Sequence, residues 1–383
     1  MLYDFARWVD AVEPSVTSRM ADIAARLEYE GEDIVNLSTA DPDFSTPPNV
    51  CRAAIEGLER GETSYPPTPG LPELREAIAT KLSEENSVET ESERVYVTPG
   101  SKYALLESIM TILREGDEAV IFEPAWISYE AIIKIAGGQI STVPLDADRD
   151  FSPDLERLKA TVTDDTRLIV LNTPGNPTGS VFSEEDMETI RDLAIDHDCW
   201  VVSDEVYEKI VFEGEHRSIG SLPGMAERTV TVNGFSKGYA MTGWRVGYFT
   251  GPPEFIDAAS TLQSHSVTST AIFAQRGAIE ALEGPQGPFE EMYEAYEERR
   301  DVVVDHLREA GIEPPVPRAG LSAFLPIGTT DDVAFSENLL EEEYVATTPG
   351  TPFGREGYIR ICITAEKDRV DTGMERIIEH IDQ

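Results

Sequence analysis

The sequence predicts an α/β fold, a mostly parallel sheet of about seven strands between helices, with a smaller α+β domain attached. Three observations carry that expectation. From Arg94 to Thr250 short apolar runs alternate with amphipathic stretches at helical spacing, the pattern of strands joined by crossover helices. The 383 residues exceed one ordinary domain. Beyond Thr250 the alternation stops, and a long helical stretch, Phe289 to Ala310, leads to a separate group of short strands. The expected division is residues 1–47 for an arm and part of the small domain, 48–288 for the large domain, and 289–383 for the rest of the small domain.

Residues 1 to about 16 read as an arm whose Phe5, Trp8 and Val9 need cover, and apolar residues on such arms often dock on another subunit. A helix is expected from about Thr17 to Tyr29, then a short strand from Ile34 to Leu37. The prolines of Ala40-Asp41-Pro42-Asp43-Phe44-Ser45-Thr46-Pro47-Pro48 forbid regular structure, so this is a loop leading to a helix from Val50 to Arg60. Tyr65-Pro66-Pro67-Thr68-Pro69-Gly70 leads in the same way to a helix ending near Glu85. The predicted sheet strands are Val95–Thr98, Glu118–Phe122, Gln139–Pro144, Arg167–Asn172, Trp200–Ser203, Thr229–Val232 and Trp244–Thr250. Helices are expected between them at about Lys102–Arg114, Ser128–Ala136, Pro153–Thr161 and Glu184–Asp196. After the sheet come helices at Pro253–Ser264, Ala271–Leu282 and Phe289–Ala310, a strand at Ser322–Pro326, a helix at Asp332–Tyr344, a strand at Tyr358–Ile363 and a closing helix at Lys367–Ile381.

Apolar residues make up 40% of the chain, ordinary for a globular protein, but 72 acidic residues face 31 basic ones for a net charge of −41. That field repels nucleic acid and anionic membranes, so neither is expected as a partner. The apolar strands persist through the whole length, which argues against disorder. Runs such as Glu84-Glu85, Glu297-Glu298 and Glu341-Glu342-Glu343 place the charge on helix faces. A solvated acidic surface of this kind suits concentrated salt, where self-repulsion is screened, so a halophilic cytoplasm is expected. Three widely spaced cysteines, Cys51, Cys199 and Cys362, read as buried free thiols of a reducing compartment. No signal segment and no run of membrane-spanning length is present, and a cytoplasmic protein is expected.

The residues with chemical potential sit just past strand ends, where ligands bind in such sheets. Pro99-Gly100-Ser101-Lys102 opens a helix, and its backbone N–H groups make an anion site. Glu123-Pro124-Ala125-Trp126, Pro174-Gly175-Asn176-Pro177-Thr178-Gly179 and Asp204-Glu205-Val206-Tyr207 follow three other strands. Between the last two strands lies Asn233 to Gly247. Its Lys237 can attack a carbonyl and hold a cofactor aldehyde covalently, and Arg245, eight residues later, can grip a phosphate with two N–H groups. That combination is what pyridoxal 5'-phosphate needs.

Six motifs in one order give a resemblance over nearly the full chain. They are Asp41-Pro42-Asp43-Phe44, Tyr65 to Arg75, Asn176-Pro177-Thr178-Gly179, Ser203-Asp204-Glu205-Val206-Tyr207, Ser236-Lys237, and Pro349-Gly350 through Phe353-Gly354 with Arg360. Together they resemble the class I aminotransferases of fold type I, which use pyridoxal 5'-phosphate, and in particular the bacterial-type aspartate and prephenate aminotransferases. The resemblance implies that Lys237 binds the cofactor and shuttles the proton. Asp204 would pair with the pyridinium nitrogen, Tyr207 and Asn176 would bond the ring oxygen, and Trp126 would stack on the ring. Gly100, Ser101, Ser236 and Arg245 would hold the phosphate, with Tyr65 donated from a neighbouring subunit, which implies a homodimer with shared active sites. Arg360 and Asn176 would take the substrate α-carboxylate. Asn176–Pro177 and Glu123–Pro124 are candidates for cis bonds.

Ala40 and Ser322 depart from the family pattern, each standing where a glycine is usual, and each extra side chain is expected to narrow the pocket or shift specificity. Lys102, next to the phosphate turn, implies by the same resemblance a contact with a distal substrate carboxylate, hence aspartate as donor and 2-oxoglutarate as acceptor. The competing reading is a helix-start lysine facing solvent. Aromatic, branched or alanine-type substrates, or a C–S lyase reaction on the same fold, would use the same cofactor residues. A transcription regulator would need a basic helix-turn-helix, for which the chain has no segment. Adjacency of Ser236 and Lys237 does not by itself make a hydrolytic dyad.

Overall fold

The computed structural model of the chain describes residues 8–9, 12, 16–313 and 315–381. Of the N-terminal arm, Phe5 lies outside the described residues, while Trp8 and Val9 are exposed. Helix α1 (Val16–Glu30) and the short β1 (Val35–Asn36) come first, then α2 (Pro48–Glu59) and α3 (Pro72–Glu85), each begun by a proline. A first-turn proline is unstrained, since its missing N–H would have had no intrahelical partner. The two proline-rich loops therefore also start the helices that follow them.

Strand and helix then alternate through β2 (Val95–Thr98), α4 (Ser101–Ile112), β3 (Glu118–Glu123), α5 (Ser128–Ile135), β4 (Gln139–Asp146), β5 (Ser152–Pro153), α6 (Leu155–Thr161), β6 (Thr166–Asn172), α7 (Glu184–Asp196), β7 (Trp200–Asp204), β8 (Thr229–Gly234) and β9 (Gly247–Thr250). They form one sheet in the order β2-β9-β8-β7-β6-β3-β4-β5. The five strands from β8 to β4 run parallel. β9 is antiparallel to both its neighbours and β5 is antiparallel to β4. The sheet thus has eight strands rather than about seven, because a two-residue strand carries no periodicity to read. The strand expected from Trp244 starts only at Gly247. Thr242–Trp244 is a 3-10 turn, and Arg245 takes a left-handed φ of 55° that no strand accommodates.

Helices α8 (Pro253–Ser266), α9 (Ile272–Glu283) and α10 (Gly287–Glu309) follow. The remainder is β10 (Ser322–Pro326), α11 (Asp332–Glu342), β11 (Val345–Ala346), β12 (Thr348–Pro349), β13 (Tyr358–Cys362) and α12 (Lys367–Ile381). β10, β13 and β12 make an antiparallel sheet, and β1 pairs with β11 in a parallel pair.

Successive residues of a strand point to opposite faces, so the central sheet feeds two cores. Ile121, Val170 and Val202 pack with α4, α5 and α8, while Val120, Ile169 and Val201 pack with α6 and α7. Both faces being covered explains why these strands read as unbroken apolar runs. In α10, Phe289 joins the core of α2, α3 and α9, whereas Met292, Tyr296, Val303 and Leu307 join the core of the small sheets. One helix therefore ties two cores, and each fully buried apolar side chain along it contributes about 1.5–3 kcal/mol. Among the described residues no helix is long and apolar enough to cross a membrane.

Candidate active site

Gly234 and Gly247 lie directly opposite each other on β8 and β9, and Gly247 also faces Thr98 of β2. A Cβ on Gly247 would strike the backbone of Gly100 and Ser101, one on Gly234 would strike Ser101 Oγ, and one on Gly100 would strike the Arg245 guanidinium. Gly100 also has a φ of 90°, so this turn needs glycine both for conformation and for space. The close approach lets the Ser101 hydroxyl donate to Asn233 O at 3.0 Å. Arg245 donates from Nη1 to Thr242 O at 2.9 Å and from Nη2 to Pro99 O at 3.4 Å. Gly100, Ser101 and Arg245 thus gather at the N-terminus of α4, where free N–H groups and a guanidinium make a cradle for an anion.

The loop from Phe235 to Val246 is pinned from several sides. Phe235, Tyr239 and Met241 are buried, Tyr293 donates its hydroxyl to Gly238 O at 2.8 Å, and Thr46 donates to Ala240 O at 2.6 Å. Ser236 is buried beside Lys237, and Lys237 Nζ donates to the carbonyl of Ala40. Burial pulls the Lys237 amine down to about 8. The nearby Asp41 and Cys362 oppose that fall, and Arg360 and Arg245 add to it. A usable fraction of neutral amine near pH 7–8 is what a nucleophile or proton shuttle requires.

Asp204 ends β7, fully in register with Asn172 at the end of β6. Burial pushes its carboxyl up to about 6, while the Tyr129 phenol, donating to Oδ2 at 2.6 Å, and the Val206 N–H, donating to Oδ1 at 3.3 Å, hold it down. The group therefore stays mostly ionised at neutral pH. Tyr207 is buried nearby, and burial raises its phenol well above the ordinary range, against a lowering by Arg360. Asn172 links the parts: its Nδ2 donates to Asp204 O at 3.0 Å and its Oδ1 accepts from Asn176 N at 2.9 Å.

Arg360 on β13 is buried at the far side. Its Nη2 donates to Ser38 O at 2.6 Å and to Thr348 Oγ1 at 3.2 Å, and its Nη1 to Asn176 Oδ1 at 3.3 Å. The guanidinium lies 5.1 Å from the Phe353 ring, and Nε has no acceptor among the described residues. A buried cation with an unmet N–H favours an incoming carboxylate. The Asp41–Phe44 loop is fixed by Asp43, which receives two N–H bonds from Arg299 at 2.8 and 2.9 Å, and by Phe44, edge-on to Tyr296 at 5.6 Å. Lys102 Nζ sits 4.9 Å over the Trp126 ring, and Trp126 meets Tyr129 edge-on at 5.3 Å.

The family model for aminotransferase class I and II matches residues 32–380. The chain belongs to that family. The aspartate aminotransferase of Musicola paradisiaca is 40% identical over 375 residues, covering 96% of this chain and 94% of that one. The aspartate/prephenate aminotransferase of Thermus thermophilus is 39% identical over 377 residues, covering 97% of each. Among solved structures, the Thermus thermophilus aspartate aminotransferase with maleate superposes with a TM-score of 0.95 at 38% identity, covering 99% of this chain and 100% of that one. An aromatic aminotransferase from Pyrococcus horikoshii superposes with a TM-score of 0.88, also at 38% identity, over 93% of this chain and 98% of that one.

In this aminotransferase, Gly100, Ser101 and Arg245 come together, as do Asn176 with Arg360, Lys237 with Ala40, and Lys102 with Trp126. Tyr65 does not join them: it is 87% exposed and makes no hydrogen bond to the others among the described residues. Ala40 contributes through its backbone carbonyl, and Ser322, expected to crowd the pocket, turns its hydroxyl onto Pro177 O at 3.0 Å. Glu123–Pro124 and Asn176–Pro177 are cis, as is Thr173–Pro174. Sequence reasoning missed Tyr129, Asn172 and Ser38. Tyr129 carried a signal, three residues beyond Trp126 at the start of a helix, whereas a loop carbonyl such as Ser38 O carries none. Behind Asp204, the carboxylates of Glu205 and Glu208 approach His216, but Lys81, Asn86, Ser203 and Ser218 already answer them.

Proposed function

We propose that this aminotransferase uses pyridoxal 5'-phosphate to move the amino group of an L-amino acid, aspartate favoured, to a 2-oxo acid such as 2-oxoglutarate in two ping-pong half-reactions. The observation that carries the reading is a buried amine, Lys237, on the carbonyl of Ala40 and a buried guanidinium with an unmet N–H, Arg360, on the carbonyl of Ser38 two residues away, so that one loop receives both cations and the guanidinium helps to depress the amine.

The residues present fit the cofactor, since the glycine-lined turn leaves the Arg245 guanidinium room that any Cβ at Gly100 would take. Gly100, Ser101, Ser236 and Arg245 would hold the phosphate, Asp204 the ring nitrogen, Tyr207 and Asn176 the ring oxygen, and Trp126 a ring face. When bound, pyridoxal phosphate supplies the electron-accepting ring that lets an α-proton leave. Lys237, neutral in part near pH 8, takes that proton and returns it. Arg360, with Asn176, grips the α-carboxylate in two-pronged fashion and so orients the α-carbon. The cation–π seat of Lys102 over Trp126 puts a second positive charge beside the ring-stacking residue, which supports a dicarboxylic substrate. The 87% exposure of Tyr65, set against the phosphate role expected of it, supports a homodimer in which a second copy of the chain receives it.

The test is a panel of amino acids with 2-oxoglutarate, following glutamate formation in high salt. Glutamate from aspartate supports the proposal. Release of pyruvate and ammonia without glutamate would identify a lyase instead. Preference for phenylalanine or tyrosine would favour the second reading, an aromatic aminotransferase, for which the likeness to the Pyrococcus horikoshii structure speaks.

A further inference from the structure

We propose that Ser322 is a positioning residue, whose hydroxyl holds the Asn176–Pro177 turn against the strand that carries Arg360, so that both side chains keep their places when a substrate carboxylate enters. The inference rests on the transaminase reading of the site. Ser322 opens β10 and is buried. It pairs with Cys362 on β13, on the same ladder where Phe324 pairs with Arg360. Its Oγ donates to Pro177 O at 3.0 Å, the only bond to that carbonyl among the described residues. Pro177 follows Asn176, whose N–H is fixed by Asn172 Oδ1 and whose Oδ1 accepts from Arg360.

Two side-chain ties therefore join the antiparallel sheet to the central sheet at this point. One, Arg360 to Asn176 at 3.3 Å, is long, and it uses groups that an incoming carboxylate would claim. The other, Ser322 to Pro177, takes no part in such an exchange and persists. Neighbouring ties are backbone only: Arg318 N and Ala319 N donate to Gly179 O at 3.0 Å each, and Gly320 N donates to Ile210 O at 2.8 Å. They anchor the far end of the turn and survive any substitution at 322. Removing the hydroxyl leaves the Pro177 carbonyl without its donor, and the turn loosens where Asn176 stands. Among the described residues no hydrogen bond of Ser322 reaches Lys237 or Asp204, so loss of the hydroxyl acts through Asn176 on substrate binding more than on the proton transfer.

The experiment compares the cofactor-loaded wild type with Ser322→Ala, Ser322→Gly and Ser322→Thr. Without the hydroxyl, the KM for aspartate and the Kd for maleate, a four-carbon dicarboxylate, are expected to rise about 5–10-fold, with kcat changed less than about twofold. The threonine variant, which keeps a hydroxyl, is expected to stay close to wild type. Unchanged KM and Kd in the alanine and glycine variants would overturn the proposal, as would a threonine variant impaired as much as alanine. A lower melting temperature with substrate binding intact would also overturn it, by reducing Ser322 to a structural role. If wild type itself fails to use aspartate, the functional reading fails instead; the same comparison is then made on whichever amino acid it does convert.

Discussion

The phenol of Tyr129 donates to the Asp204 carboxylate at 2.6 Å inside the protein. Burial alone drives that carboxylate toward its neutral form, and the phenol resists the drive by stabilising the charge. Tyr129→Phe is therefore expected to raise the Asp204 pKa, moving the acid limb of the kcat/KM profile to higher pH and lowering kcat/KM at pH 7 about 10-fold. A profile identical to wild type would show that the phenol does not tune Asp204.

Lys237→Ala is expected to abolish turnover, and a fully active variant would remove Lys237 from the mechanism. Stability of the cofactor-free protein gives an independent reading. The folded pKa of about 8 lies below the ordinary 10.5, so burying the charged amine destabilises the fold fully below pH 8, and the cost fades as pH rises toward 10.5. Lys237→Met, which keeps the volume, should be more stable than wild type by about 1–3 kcal/mol at pH 7, with the gap closing by pH 10.

Lys102→Ala should lower kcat/KM for aspartate about 10-fold while leaving alanine or phenylalanine within twofold, if the amine over Trp126 meets a distal carboxylate. Equal effects on all three substrates would return Lys102 to the role of a helix-start lysine.

Glu107, on α4, is fully buried, and burial pushes its carboxyl up to about 8, only partly opposed by the backbone N–H of Gln263. The folded protein thus binds a proton that the unfolded chain releases near 4.5, so stability falls as pH rises from about 4.5 to 8. Glu107→Gln should match wild type at the low end of that window and exceed it by about 2–4 kcal/mol at pH 9, as read by denaturant titration. Parallel pH curves for the two proteins would contradict this.

We infer from the net charge of −41 that the fold depends on salt. Dilution to about 10 mM ionic strength stretches screening to roughly 30 Å, so carboxylates repel across whole helix faces. Melting temperature should rise steadily from low salt to molar potassium chloride. A salt-independent melting temperature would rule the inference out.

The chain order of motifs was readable because the chemistry of each resides in a few adjacent residues at a strand end. Lys237 with Arg245, Asp204 with Tyr207, and Asn176 with its prolines announce themselves by type and spacing. The parallel strands were readable too, as apolar runs covered on both faces. Harder to read was β5, too short to show a period, and the start of β9, where the local twist at Arg245 overrides an apolar pattern that looks like strand.

By itself, then, the sequence determined the α/β architecture and the family, because periodicity and motif order are local properties carried along the chain. Only the tertiary structure decided that Ala40 offers Lys237 a carbonyl, that Tyr129 bonds the Asp204 carboxylate, and that Ser322 reaches Pro177 O. Those contacts join residues 75 to 197 positions apart. No local pattern encodes them; they arise when two sheets and one long helix fix separate stretches of chain in the same few ångströms.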